Sequence, residues 1–180
     1  GRGHRDEPRR RAPVRLTATL GRKDGIGRLI DAEARTEIAR PVTTVYGFVV
    51  HEFFENYPRW SPEVVELEAL DGPAGAKTLA AGQRLRQVRV DHGRRSETRV
   101  RVTALEEPHH VEFASEHAPW FRIRFDFMPL DSGMTEVRFR FELTRVELYM
   151  RPFSRMIRRA IASGTQRSAT ELRRLVETES

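Results

Sequence analysis

Apolar and polar residues alternate through most of the chain between residues 30 and 145. In residues 30–38, Ile30, Ala32, Ala34, Thr36 and Ile38 fall on one side, and Asp31, Glu33, Arg35 and Glu37 on the other. That period of two predicts a strand with one wet face. The pattern is sharpest near the end of the chain. Phe121, Ile123, Phe125 and Phe127 alternate with Arg122, Arg124 and Asp126 within residues 120–130, and Val137, Phe139, Phe141 and Leu143 alternate with Arg138, Arg140 and Glu142 within residues 135–145. Residues 64–70, 84–91, 97–105 and 110–115 read as further strands. Turn signals separate them at Asp71-Gly72-Pro73, His92-Gly93, Pro108 and Asp131-Ser132-Gly133. Strands spaced about ten residues apart predict an antiparallel meander, apolar on one face and charged on the other. A shorter alternation (Val14, Leu16, Ala18, Leu20) predicts one more short strand over residues 13–20.

Two regions change period. Val42, Val45, Tyr46, Val49, Val50, Phe53 and Phe54 recur at helical spacing behind Pro41, which suits a first helical turn. They predict one or two short helices ending near Asn56, with Gly47 at the break. Tyr57-Pro58-Arg59-Trp60-Ser61-Pro62 is expected to be a turn, because each proline restricts the residue before it. At the end of the chain, Phe153, Met156, Ile157, Ala160, Ile161, Gly164, Ser168, Leu172, Leu175 and Val176 mark one side of a helix over residues 152–177. It would be about 39 Å long. Such a helix needs an apolar surface of matching length, and the dry face of the sheet supplies one. The expected class is therefore α+β, with helices gathered on one side of an antiparallel sheet. Where a bent sheet cannot close on a long helix, the gap becomes a pocket.

Composition narrows the chemistry. At 180 residues and 38% hydrophobic, the chain fits one domain with a real core. It has no cysteine, which excludes disulfides, thiolate zinc sites and a cysteine nucleophile. The net charge of +6 comes from residues 1–30, which carry nine basic and three acidic side chains, so the remainder is neutral. Arg2, Arg5, Arg9, Arg10, Arg11 and Arg15 thus form a basic, flexible arm over residues 1–29. It lacks interleaved aromatics, so no specific nucleic-acid partner is expected, only weak contact with membranes or anions. GRKDGIG at residues 21–27 lacks the spacing of a phosphate loop. The six histidines show no helical i, i+4 pairing, so neither a metal nor another cofactor is expected. The uncharged stretch at residues 41–50 is far shorter than the ~18–20 residues of a spanning helix, and the first thirty residues lack an apolar block. The expected location is the cytoplasm.

Candidate chemistry centres on residues 84–91. One side of that strand carries Arg84, Arg86, Val88 and Val90, the other Leu85, Gln87, Arg89 and Asp91. Either Gln87 with Arg89 or Arg84 with Arg86 must face inward. An inward arginine needs a partner. That partner is an acidic ligand group gripped by two parallel hydrogen bonds, or a nearby glutamate at an open mouth. Tyr57 and Trp60 read as a pocket entrance or as a packing plug. Val100, Val102, Phe113, Phe125, Phe139 and Phe141 on the strands, with Phe153, Met156 and Ile157 on the helix, are candidate lining residues. Plain core is the competing reading for them.

The segments ARPVTTVYGFVV (39–50), ENYPRWSPEVVE (55–66) and SGMTEVRFRF (132–141), with Gly82, Gly93 and Val102, resemble the START-like superfamily. That superfamily includes the birch-pollen-allergen-like proteins and the bacterial polyketide cyclase/dehydrase and lipid-transport families. The resemblance covers residues 30–178, and residues 1–29 have no counterpart in it. It implies a helix-grip domain over residues 30–180: a curved seven-stranded antiparallel sheet around the long C-terminal helix, with two short helices after the first strand and a hydrophobic cavity between. The function it implies is binding or transport of a small lipophilic ligand, with Gln87 and Arg89 orienting it and Tyr57 and Trp60 at the mouth. Two alternatives remain at this point: a polyketide cyclase/dehydratase using the same cavity, and a macromolecule-binding module with a filled core. Arg59-Trp60-Ser61-Pro62 after Tyr57-Pro58 is the pattern of generic members, which favours binding over catalysis.

Overall fold

The computed structural model describes residues 13–22, 28–72, 75–131 and 133–179. They form one antiparallel sheet of eight strands: β1 (Arg15–Arg22), β2 (Arg28–Ile38), β3 (Val64–Ala69), β4 (Arg84–Asp91), β5 (Arg94–Glu106), β6 (His110–Ser115), β7 (Phe121–Pro129) and β8 (Thr135–Leu143). Their order across the sheet is β1-β2-β8-β7-β6-β5-β4-β3. Between β2 and β3 lie α1 (Val42–Tyr46), a π-helical turn (Gly47–His51) and α2 (Phe53–Trp60). A 3-10 segment (Leu148–Phe153) leads into α3 (Ser154–Glu179). This is a helix-grip α+β fold. No helix among the described residues is long and apolar enough to cross a membrane.

The sheet has one strand more than expected. The alternation at residues 13–20 is β1, which pairs antiparallel with β2 (Leu16 opposite Ala34). Part of the expected arm therefore belongs to the sheet edge. Its first twelve residues, and residues 23–27 with the glycine-rich run, lie outside the described residues. β4 and β6 occupy the residues the alternation marks. The β4–β5 hairpin turns on His92 and Gly93, with φ of 48° and 77°. Two successive left-handed residues give the turn whose twist matches a hairpin, and glycine takes the second without strain. Register shifts at Val64/Glu66 and Val102/Ala104 insert bulges into the β3–β4 and β5–β6 pairings. Bulges of this kind bend a sheet.

The segment 57–62 is not the turn its prolines suggest, because α2 continues through Pro58 to Trp60. Proline there removes a single backbone hydrogen bond to Phe54. Against that, helical geometry buries Phe53, Tyr57 and Trp60 on one face. Burial of large aromatic side chains outweighs one net hydrogen bond. Asn56 is buried too: its amide donates to the Phe48 carbonyl (3.1 Å) and to Glu52 (3.0 Å), fastening α2 to the π-helical turn. Tyr46 of α1 meets Phe127 of β7 edge to face at 5.4 Å, which seats the helical layer on the sheet.

The long helix starts two residues later than expected, since Pro152 and Phe153 belong to the 3-10 segment. Its buried residues are Ala162, Thr165, Ala169, Leu172, Leu175 and Val176. At about 100° per residue, that stripe is rotated by more than a right angle from Phe153 and Met156, which project into solvent. Close backbone approach of α3 is chiefly to β2, then to β1, β8 and α2. Across β4–β7 it stands off.

Phe127 joins the two layers without touching the pocket described below. Phe127→Ala is expected to lower unfolding free energy by about 3–5 kcal/mol, measured by chemical denaturation.

Candidate functional site

A pocket of about 340 Å³ occupies the space where α3 stands off from the sheet. Its floor is the inward side of β4–β8, its roof is α3, and α2 supplies one wall through Phe53, Tyr57 and Trp60.

Strand register grades this pocket from apolar to charged. On β4 and β5, Leu85 faces Val100, Gln87 faces Thr98 and Arg89 faces Ser96. All six line the pocket. Each rung along the pair is thus more polar than the one before. The floor beyond is aromatic: Phe113, Ile123 and Phe141 form one row across β6, β7 and β8, and Phe125 with Phe139 lies in the next. The Phe125 and Phe139 rings stack 4.5 Å apart and nearly parallel, and Phe121 stacks on Phe141 at 5.3 Å. Phe53 lies between Tyr57 (4.8 Å) and Phe113 (5.4 Å), linking wall to floor.

Arg89 answers the question posed by its strand. Its guanidinium reaches Glu63 (3.7 Å) and donates to the hydroxyls of Tyr57 and Ser61, both at 3.4 Å. Glu63 also pairs with Arg167 of α3. One carboxylate therefore lies between two guanidinium groups, and Asp91, which also lines the pocket, brings the formal charge of this end to zero. The corner is partly open to solvent. Deeper in, the Tyr57 hydroxyl donates to the Gln87 side-chain oxygen at 3.3 Å, and both side chains are buried. Arg84 and Arg86 point the other way. Arg84 clasps Asp71 (2.9 and 2.8 Å), and these hydrogen bonds pull the Asp71 carboxyl down to about 2. Arg86 pairs with Glu66, Glu68 and Glu97.

Of the expected lining residues, Tyr57, Trp60, Gln87, Arg89, Val100, Phe113, Phe125, Phe139 and Phe141 are together in the pocket wall. Val102 is not. It is fully buried core, beside the β5 bulge that shifts the β5–β6 pairing. Phe153 and Met156 are exposed, and Ile157 packs against the core. The apolar stripe read along the helix merged three directions: toward the sheet, toward the pocket and toward solvent. On α3 the pocket is instead lined by Ala160, Ile161, Gly164, Thr165, Arg167 and Ser168. Glu63 is the nearby glutamate expected as one partner of an inward arginine, whereas Ser61 and Ser96 had no readable signal because short polar residues carry no periodicity. Gly164 had a readable one, since glycine inside a helix is unfavourable unless space is needed there. Among the described residues, no three His, Asp or Glu side chains are grouped to hold a metal.

A bent antiparallel sheet, a standing-off terminal helix and an amphipathic pocket between them define a START-like protein. The family model of polyketide cyclase / dehydrase and lipid transport proteins matches residues 30–177, and the chain belongs to that family. No curated protein matches it. Among solved structures, the chain is similar to the Zhui aromatase/cyclase from Streptomyces sp. R1128 (TM-score 0.66, 14% identity, 83% of this chain and 94% of that one). It is also similar to a START superfamily protein from Mycobacterium smegmatis (0.65, 19%, 83% and 99%) and to TTHA0849 from Thermus thermophilus (0.65, 16%, 81% and 96%). At these identities the likeness is one of fold.

Replacing Gln87 by leucine removes the acceptor of a buried hydroxyl. Gln87→Leu is expected to destabilise the protein by about 1–3 kcal/mol, and adding Tyr57→Phe should recover part of that loss in a denaturation double-mutant cycle.

Proposed function

We propose that this protein binds a small lipophilic ligand carrying one polar or anionic end. The observation that supports this reading is the graded pocket: stacked phenylalanines on the floor, then Gln87 and Thr98, then Arg89 beside Ser96. A volume of about 340 Å³ lies at the small end of pockets that hold compact organic ligands, roughly 300–1,000 Å³. Burial of apolar ligand surface drives binding at about 25 cal/mol per Å² before association costs. The polar end then selects orientation. A carboxylate or phenolate facing Arg89 meets a guanidinium already aligned by two hydroxyls, and Glu63 keeps Arg167 for its own pairing.

Gly164 makes the reading testable. A Cβ placed there would meet nothing within 4 Å, and the glycine lines the pocket. Gly164→Leu should raise stability, since glycine is about 0.8–1 kcal/mol less favourable than alanine in a helix interior and leucine is close to alanine. The same change fills the pocket. Titration with the lipophilic fluorescent anion anilinonaphthalene sulfonate should show an affinity at least about ten-fold weaker. Unchanged affinity in a more stable variant would remove the pocket as the binding site. Native mass spectrometry of the purified protein should show a bound small molecule, absent from Gly164→Leu.

A cyclase/dehydratase reading is favoured by one observation, the Tyr57 hydroxyl fixed between Gln87 and Arg89 at the pocket wall. In that role it would donate a proton to, or stabilise, an enolate on a folded polyketide. Tyr57→Phe separates the two readings: a carrier retains ligand affinity within a few-fold, whereas an enzyme loses turnover by about a hundred-fold or more.

A further inference from the structure

Four large apolar side chains project into solvent within nine residues at the entrance to α3: Leu148 (73% exposed), Tyr149 (74%), Phe153 (56%) and Met156 (65%). They are the most exposed large hydrophobics among the described residues. The segment that carries them is anchored, because Val146 before them, Met150 among them and Ile157 after them pack against the core. Their exposure is therefore directed outward.

The charge around them is one-sided. Residues 144–160 hold five arginines (Arg145, Arg151, Arg155, Arg158, Arg159) and one acid, Glu147, a net charge of +4. Over the sheet and the rest of α3, most arginines pair with carboxylates, among them Arg86 with Glu66, Arg101 with Glu116, Arg124 with Glu112, Arg140 with Asp31 and Arg174 with Glu171. None of the five arginines near the apolar group has an acidic partner among the described residues. The Arg158 Nε lacks any hydrogen-bond partner there.

We infer that the start of α3, with the 3-10 segment before it, is a docking surface for an anionic lipid bilayer. Apolar side chains that stand more than half exposed can enter the boundary between headgroups and acyl chains. Tyrosine with arginine suits that depth, since both have an apolar stem and a polar end that remains wet. Unpaired guanidinium groups meet lipid phosphates and carboxylates there. The chain's own residues 1–12 are a poor cover for the surface, since their five arginines outnumber Asp6 and Glu7 and would be repelled. A second copy placed symmetrically would set +4 against +4. The surface is one helical turn from Ala160 and Ile161, which line the pocket. Docking would thus bring the pocket roof to the membrane, although the inference rests on surface chemistry and not on the ligand reading.

Vesicle co-sedimentation of the full chain tests it. Wild-type protein should sediment with phosphatidylcholine vesicles containing about one-third phosphatidylserine, sediment poorly with pure phosphatidylcholine, and be released by salt. Phe153→Ser with Met156→Ser should weaken sedimentation about ten-fold or more, as should Arg155→Glu with Arg159→Glu. Both pairs are surface changes, so unchanged thermal midpoints are expected. Equal sedimentation of wild type and both variants would overturn the inference in favour of the N-terminal arm. No sedimentation, or a change of oligomeric state in the serine variant by light scattering, would overturn it in favour of a protein partner or a second copy. Native mass spectrometry of the same variants should still show the small molecule retained by wild type, which keeps failure here distinct from failure of the pocket.

Discussion

A straight helix laid on a bent sheet can follow it along one flank only. That geometric constraint organises the whole molecule. α3 meets β2, β1 and β8, where the small residues Ala162 and Ala169 and the apolar Leu172, Leu175 and Val176 allow close approach. The bulges in β3–β4 and β5–β6 turn the remaining half of the sheet away from that line. A gap follows, and the chain lines it instead of filling it. Gly164 is the plainest sign, since a leucine there would give a more helical and more compact protein.

Arginine use divides the molecule by environment. On the outer face of the sheet, guanidinium groups and carboxylates interdigitate across neighbouring strands and neutralise one another in water, where each pair contributes little to stability. At the pocket corner, Arg89 and Arg167 share Glu63, and Asp91 lines the same pocket. The strand register places the most polar rung at that same corner.

Much of the fold was legible in sequence because its strands obey a period of two with wet and dry faces. Residues 110–115, 121–129 and 135–143 alternate so strongly that type and position followed directly. The first strand was legible as a pattern, but nothing in a charged, glycine-interrupted segment tells whether it pairs. α2 was misread at Pro58 because local backbone rules carry no knowledge of how much aromatic surface the tertiary structure will bury. The candidate site was legible on the strands, where inward and outward are the only two choices. On α3 a residue can face any direction around the axis. Met156 and Ile161 are both apolar and five residues apart, which sets them about 140° apart around the axis, and only Ile161 lines the pocket.

The sheet is open, and an open sheet offers its rims to other chains. On the β3 rim, Val65 sits at an irregularity in the pairing and is half exposed, while Glu66 and Glu68 lean toward arginines of β4 and β5. Two copies meeting there would bring carboxylates against carboxylates and would find no continuous run of backbone groups to share. The rim is thereby closed to strand addition by chemistry rather than by a covering element. Of the two edges of the eight-stranded sheet, that describes the one formed by β3.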